Sequence, residues 1–284
     1  MSFGKHNSKR YITKEIEILT GCDHDNIESF LGFCEVEDGR MILVYENFST
    51  KHLRSYLNDR VLTWEKRLKI CVDVAHGLNY LHNQMADQKM VIHNFVNSKN
   101  IMLDDNYYNA KIVYFGMSVF LPPNQDDNAL FNVSKDMDHY WSYHSDPEYL
   151  MTGKLKRESD AYGFGVVMFE VLTWMRIGDI MDNEGHKYKD FSHLAARWVE
   201  EGIVFRKVST MVKGENEGKD FMFNKGINKD SLDIFIKIMH QCLKPKQNQR
   251  PTMEVVVKEL EKALSLQVTY TGIYNIIRAR IAIK

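Results

Sequence analysis

Residues 91–116, VIHNFVNSKNIMLDDNYYNAKIVYFG, bring His93, Asn97, Asn100, Asp104 and Asp105 into one short stretch between apolar runs. That spacing has the outline of a phosphate-transfer site, where a few polar groups orient a hydroxyl and hold the magnesium that neutralises developing charge. Two positions run against the chemistry. Phe95 and Tyr114 stand where carboxylates would be most useful, and a phenyl ring neither accepts a proton nor holds a hydroxyl in line. A phenol, ionising near pH 10, is a poor magnesium ligand. Asp104 and Asp105 open the turn Asp104-Asp105-Asn106 and read as solvated loop residues.

The elements that must position these residues are legible as periodicities. YITKEIEILT (11–20) predicts a helix with Ile12, Ile16 and Leu19 on one face. Two β-prone runs in residues 28–48 flank Glu37-Asp38-Gly39, a hairpin signal. From Thr63, a predicted N-cap, Leu68, Cys71, Val72, Ala75, Leu78 and Leu81 recur at helical spacing. Short strands are expected in NIML and AKIVYFG, then an irregular stretch over about 117–148. The second half reads as helical. SDAYGFGVVMFEVLTW is apolar nearly all round, the mark of a helix buried on every side, and KDSLDIFIKIMHQCL and TMEVVVKELEKAL each carry one apolar stripe.

Composition narrows the function classes. The 284 residues carry a formal net charge of -1, so no field attracts nucleic acid or anionic membrane wholesale. The four cysteines form no CxxC and no Cys/His cluster, so neither a disulfide framework nor a metal site is expected, and a reducing cytoplasm is the expected setting. No apolar run is long enough to span a membrane. Partners are expected to be proteins, with peripheral placement at the plasma membrane arising only through such partners.

The order of motifs resembles the protein kinase fold, and within it the plant receptor-like kinase group of serine/threonine kinases. The resemblance rests on LTWEKRLKICVDVAHGLNYLH, VIHNFVNSKNIMLDD at the catalytic-loop position, IVYFG for Asp-Phe-Gly, SDPEYLMTGKLKRESDAYGFGVVMFEVL and QCLKPKQNQRPTMEVVVKELEKAL, over about residues 11–266. It implies an α+β fold with a truncated, strand-bearing small lobe (1–48), a mainly α-helical large lobe (49–267) and a tail (268–284). Glu148 and Arg250 resemble the family's buried ion pair, whose breaking costs about 3–5 kcal/mol. Asp160 resembles the acceptor of catalytic-loop N–H groups, and His93 packs beneath that loop. All four, Glu148, Arg250, Asp160 and His93, are structural by this reading.

Set against the family's catalytic parts, the chain is expected to be a pseudokinase. No GxGxxG occurs, and Gly4 stands alone. Glu15 resembles the glutamate that holds the strand-three lysine, yet the first three small-lobe strands have no counterpart, and neither Lys5 nor Lys9 lies in an apolar strand. The loop reads His93-Asn94-Phe95, with Asn97 at the lysine position, so the base is gone, a loss typically worth about 10²–10⁴ in rate. Asn100 resembles a retained metal-ligand asparagine beside Tyr114. Asn94 replaces the arginine that would pair with an activation-loop phosphate, and Trp141 stands near the threonine of the peptide-docking stretch.

Tyr45, Glu46 and Phe48 resemble gatekeeper and hinge residues, and Met102 the floor of a nucleotide pocket. No cofactor and no metal are expected, beyond weak, metal-independent ATP binding. The resulting expectation is an inactive interaction or regulatory module in signalling. The alternatives are an ATP-dependent serine/threonine kinase, or a fragment of a larger or tandem kinase. The tail, with Ile273, Ile276, Ile277, Arg278, Arg280 and Lys284, reads as a frayed terminal helix, with an amphipathic membrane- or partner-facing segment as the alternative.

Overall fold

The computed structural model describes residues 5–36, 40–46, 51–57, 62–85, 90–104, 109–121, 143–185, 191–206 and 226–282. Helix α1 (Lys5–Leu19) starts earlier than the periodicity predicts. Its buried face also turns: Glu15, Ile18 and Leu19 are buried, whereas Ile12 and Ile16 are half-buried. A carboxylate therefore replaces an isoleucine on the inward stripe. Strands β1 (Phe30–Glu35) and β2 (Met41–Tyr45) form the expected antiparallel hairpin, with Phe33 opposite Leu43 and a bulge between Phe30 and Gly32.

This small part is laced to the rest by backbone. Ile112 N–H donates to Asn26 carbonyl and Glu28 N–H to Ile112 carbonyl, at 2.9 and 3.0 Å. Beyond it lie β3 (Lys51–His52), the one-turn α2 (Leu53–Tyr56) and α3 (Trp64–Asn83). Thr63 Oγ1 caps α3 by accepting the Lys66 N–H at 3.4 Å. Arg67 on α3 has no exposed surface, yet its guanidinium donates to the carbonyls of Leu62, Val171 and Leu57 and lies 4.4 Å over the Trp174 ring. Those four contacts offset the cost of burying a charge.

Strands β4 (Met90–Ile92), β5 (Ile101–Leu103), β6 (Ala110–Ile112) and β7 (Val119–Leu121) make two small sheets, β3-β5-β6 and β4-β7, all antiparallel. The predicted irregular stretch over 117–148 thus holds β7 and the start of α4 (Pro147–Thr152), elements too short to show a period. Helix α5 (Arg157–Thr173) is buried at every residue from Ser159 to Thr173, as its all-round apolar sequence predicts. α6 (Ile177–Glu184), α7 (Phe191–Glu200), α8 (Lys229–Cys242) and α9 (Met253–Ala282) complete the helical part.

α9 packs along α3 and α8, and α5 lies against α8. Gly165 permits that last contact, because a Cβ there would sit 2.9 Å from Cys242 Cβ. Fully buried Phe164, Phe169, Phe191, Trp198 and Phe235 fill the core, each side chain contributing about 1.5–3 kcal/mol by burial. The tail is not a separate segment. Residues 268–282 continue α9 without a break, and Gln267, 1% exposed, ties the helix inward by accepting the Asn228 N–H at 2.8 Å. The side chains of Ile276, Ile277, Arg278 and Arg280, and all of Lys284, lie outside the described residues, as do Asp105, Phe48 and Trp141.

Candidate nucleotide site

The loop after β4 is pinned from below. Asp160, in the first turn of α5, accepts the His93 N–H and the Asn94 N–H, both at 2.7 Å, and the His82 ring nitrogen at 2.9 Å. Helix α5 approaches the loop closely at Gly163, where a Cβ would meet Val96 carbonyl at 3.0 Å. His93, fully buried, sits 4.9 Å from the Phe115 ring, edge to face, and its ring nitrogens meet Val113 carbonyl and Phe95 N–H at 3.3 Å each. Burial pushes the His93 pKa down, and the nearby Asp160 opposes the shift. A neutral imidazole suits both contacts: one nitrogen donates while the other accepts.

Above that floor, Asn97 and Asn100 close on the loop itself, while Asn94 Nδ2 donates to Met117 carbonyl at 3.2 Å. Asn97 and Asn100 both donate from Nδ2 to Phe95 carbonyl, at 2.8 and 2.9 Å, and Asn97 Oδ1 accepts the Lys99 N–H. Phe95 and Tyr114 meet across the site with ring centroids 5.4 Å apart. Asn94 and Tyr114 hold φ of 60° and 70°, a left-handed conformation tolerated by asparagine and costly for tyrosine, by about 1 kcal/mol. Burial, followed by the charge of Glu15, raises the Tyr114 pKa, so the phenol stays protonated at neutral pH.

Among the described residues, no lysine pairs with Glu15 on α1. Glu15 accepts the Tyr45 hydroxyl at 3.0 Å and a hydrogen bond from the Phe115 backbone, while burial raises its pKa. Lys9 reaches Glu35 instead, at 3.6 Å, and Lys5 and Lys9 share α1 with Glu15, so the strand geometry weighed for them is not formed. Glu28, close enough to Glu15 to feel its charge, is pushed up to about 7, first by burial and then by that neighbour. Glu46 lies 3.9 Å from Lys111, and Met102 is half-buried in β5 opposite His52 and Lys111.

One expected contact is formed by a different partner. Arg250 pairs with Asp146, Nη2 to Oδ1 at 2.7 Å with both side chains fully buried, rather than with Glu148. Glu148 accepts the Gln247 N–H at 2.6 Å. Asp146 serves four demands at once, because it also caps α4 by accepting the Glu148 N–H and accepts the Ser159 hydroxyl and the Gln247 side-chain amide. Only its capping role had a signal in the sequence, since an Asp immediately before Pro-Glu is a strong N-cap pattern. His144–Glu170, 3.4 Å apart and buried, gave no such signal. Burial alone would raise the Glu170 pKa, but His144 and the Ile177 N–H outweigh it and hold the carboxyl below its usual range.

A small strand-bearing part over a helical lobe, with a loop held by an aspartate in the first turn of a buried helix, defines a protein-kinase-type domain. The chain belongs to the protein tyrosine and serine/threonine kinase family, which it matches over residues 2–260. It is 35% identical over 256 residues to a probable receptor-like protein kinase of Arabidopsis thaliana, covering 89% of this chain and 28% of that protein. It is 30% identical over 264 residues to the probable serine/threonine-protein kinase PBL28 of the same plant, covering 92% and 65% respectively. The receptor-like protein kinase HERK 1, also from that plant, is 34% identical over 256 residues, covering 89% and 28%. The domain is therefore of the plant receptor-like kinase type, and it spans well under the full length of these relatives.

ATP with magnesium is the ligand set that such a fold implies. The groups at the metal position do not fit it: two aromatic rings stand in contact there, and Asn100, whose nitrogen bonds Phe95 carbonyl, presents one neutral amide oxygen, so these groups offer no anionic oxygen to a hard cation. Among the described residues, no helix is long and apolar enough to cross a membrane.

Proposed function

We propose that this kinase-type domain is a non-catalytic module that binds protein partners, an active kinase among them, in signalling. The reading is carried by the Phe95–Tyr114 contact, which fills with two rings the place where the fold would otherwise present a base and a metal ligand. Groups that act together in transition-state stabilisation fail together, so several such losses remove nearly all turnover. Meanwhile the groups that shape the loop, Asp160 and His93, keep full sets of hydrogen bonds. The domain acts at the cytoplasmic side, and ATP binding is weak and independent of metal.

The names of its relatives support a second reading, an ATP-dependent serine/threonine kinase, and their greater length a third, in which this chain is one part of a larger kinase. A radiolabelled-ATP assay with generic protein substrates separates the first two. No incorporation above background is expected; incorporation abolished by Asn100→Ala would establish a working site. In a thermal-shift titration, a large rise with ATP that requires magnesium or manganese would count equally against the module.

A further inference from the structure

Between α1 and β1 the chain makes a turn, His24-Asp25-Asn26-Ile27, closed by one residue in two ways. His24 Nδ1 accepts the Asn26 N–H at 3.1 Å, and His24 carbonyl accepts the Ile27 N–H at 3.0 Å. An imidazole nitrogen accepts only while it carries no proton. The His24 ring stacks on Tyr80 of α3, with centroids 4.8 Å apart and planes at 30°, and the Tyr80 hydroxyl accepts the Asp23 N–H at 2.9 Å.

This turn laces the small strand-bearing part to the helical lobe. Asn26 carbonyl accepts the Ile112 N–H at 2.9 Å, and Asn26 Nδ2 donates to Ala110 carbonyl at 3.1 Å. Buried Ile27 forms a parallel bridge to Ile112. Helix α3 closes on the same spot, since a Cβ on Gly77 would meet Ile112 Cδ1 at 2.9 Å and Asn26 carbonyl at 3.0 Å. The conformation of Asn26 thus positions contacts to both β6 and α3.

Among the described residues, the charges facing His24 are few. Asp23 and Asp25 flank it, α3 presents His76 and the Tyr80 hydroxyl, α9 reaches it only through Glu261, bonded to His76 at 2.9 Å, and β6 meets the turn through backbone. Burial lowers the His24 pKa from its ordinary 6.5; Asp25 opposes the shift, His76 adds to it and Asp23 opposes it. A lowered folded-state value means that the stability given by the neutral ring is complete above about 6.5 and is lost as pH falls through the folded value. Glu28, pushed up to about 7, titrates nearby but faces Glu15 and Lys111, and its protonation favours the fold, the opposite sign.

We propose that His24 is a pH-sensitive latch: a proton at Nδ1 sets donor against donor at the Asn26 N–H, opens the turn and loosens the strand-bearing part from β6 and α3. The latch stands apart from the reading of the nucleotide site.

The test is amide hydrogen exchange of the full chain, read by NMR and corrected for intrinsic rates, from about pH 7.5 to about pH 5. Protection of the Asn26 and Ile112 amides should fall by about tenfold or more, with the midpoint of the His24 ring titration. The Leu78 amide, in buried mid-α3, should keep its protection and report a folded lobe. His24→Asn retains an oxygen able to accept an N–H two residues on and takes no proton, so protection should persist at both ends of the range. His24→Arg, permanently charged and without an acceptor, should be unprotected at both. His76 and Glu28 remain in these variants, so pH dependence that survives in His24→Asn would assign the effect to them and overturn the proposal. Protection in the unaltered chain that ignores pH, a midpoint away from that of the His24 ring, or full protection in His24→Arg would overturn it equally.

Discussion

The rings of Phe95 and Tyr114 lie 5.4 Å apart, centroid to centroid, tilted by 46°, and bridge the catalytic-loop segment to the segment after β6. Neither ring was expected from the sequence to touch the other, although both positions stood out. Aromatic pairs of this geometry contribute about 0.5–1.5 kcal/mol beyond their buried area. A double-mutant cycle with Phe95→Leu and Tyr114→Leu, read by urea unfolding, should return a coupling energy of about 0.5–1 kcal/mol. Strict additivity would mean that the two rings are neighbours without being partners.

Restoring carboxylates should not restore chemistry. In Phe95→Asp/Tyr114→Asp, Glu15 remains bonded to the Tyr45 hydroxyl, and the chain still holds no Gly-rich loop. Phosphate incorporation should stay at the background of the unaltered chain, while burial of two new charges lowers the urea midpoint. Measurable turnover by the double variant would show that these two positions alone had suppressed the reaction.

Removing the Arg250 guanidinium strands the Asp146 carboxylate in a fully buried site. Arg250→Met should cost about 3–5 kcal/mol in equilibrium unfolding. Glu148→Gln, which retains an oxygen able to accept the Gln247 N–H, should cost about 1 kcal/mol or less. Equal losses in the two variants would place the pair at Glu148 after all.

Glu28 supplies a pH signature. Burial, followed by the charge of Glu15, pushes its carboxyl up to about 7 from the ordinary 4.5, so the folded chain holds an extra proton between those values. Stability contributed by the neutral form is present below about 4.5 and is lost as pH rises through about 7. Glu28→Gln should therefore match the unaltered chain at pH 4 and exceed it at pH 8. A difference of the same size at both pH values would remove Glu28 as the source.

The close approach of α5 to the loop is tested at Gly163. A Cβ there meets backbone, Val96 carbonyl at 3.0 Å and His144 carbonyl at 3.3 Å, and backbone cannot swing aside as a side chain can. Gly163→Ala should lower stability by about 1–3 kcal/mol, checked by thermal unfolding. Gly185→Ser, in open space but at a positive φ of 66°, should cost about 1 kcal/mol from backbone strain alone.

By itself the sequence determined the helical skeleton and the departures from the family's catalytic motifs. Helical periods over ten or more residues are local facts, so α3, α5, α8 and the first half of α9 are plain in LTWEKRLKI, SDAYGFGVV, SLDIFIKIM and TMEVVVKEL. A missing carboxylate is likewise visible as a letter, as Phe95 and Tyr114 are. Only the tertiary structure decided which residues meet. Asp146 and Glu148 stand two positions apart, with nothing local to say which one Arg250 reaches a hundred residues later. The inward turn of Glu15 follows from what α1 packs against, not from its own period. Strands of three residues, such as β4 and β7, carry too few side chains for an alternation and exist because each pairs with the other. Sequence spacing encodes contacts within a helix or hairpin, whereas contacts between distant segments are settled by the packing of the whole chain.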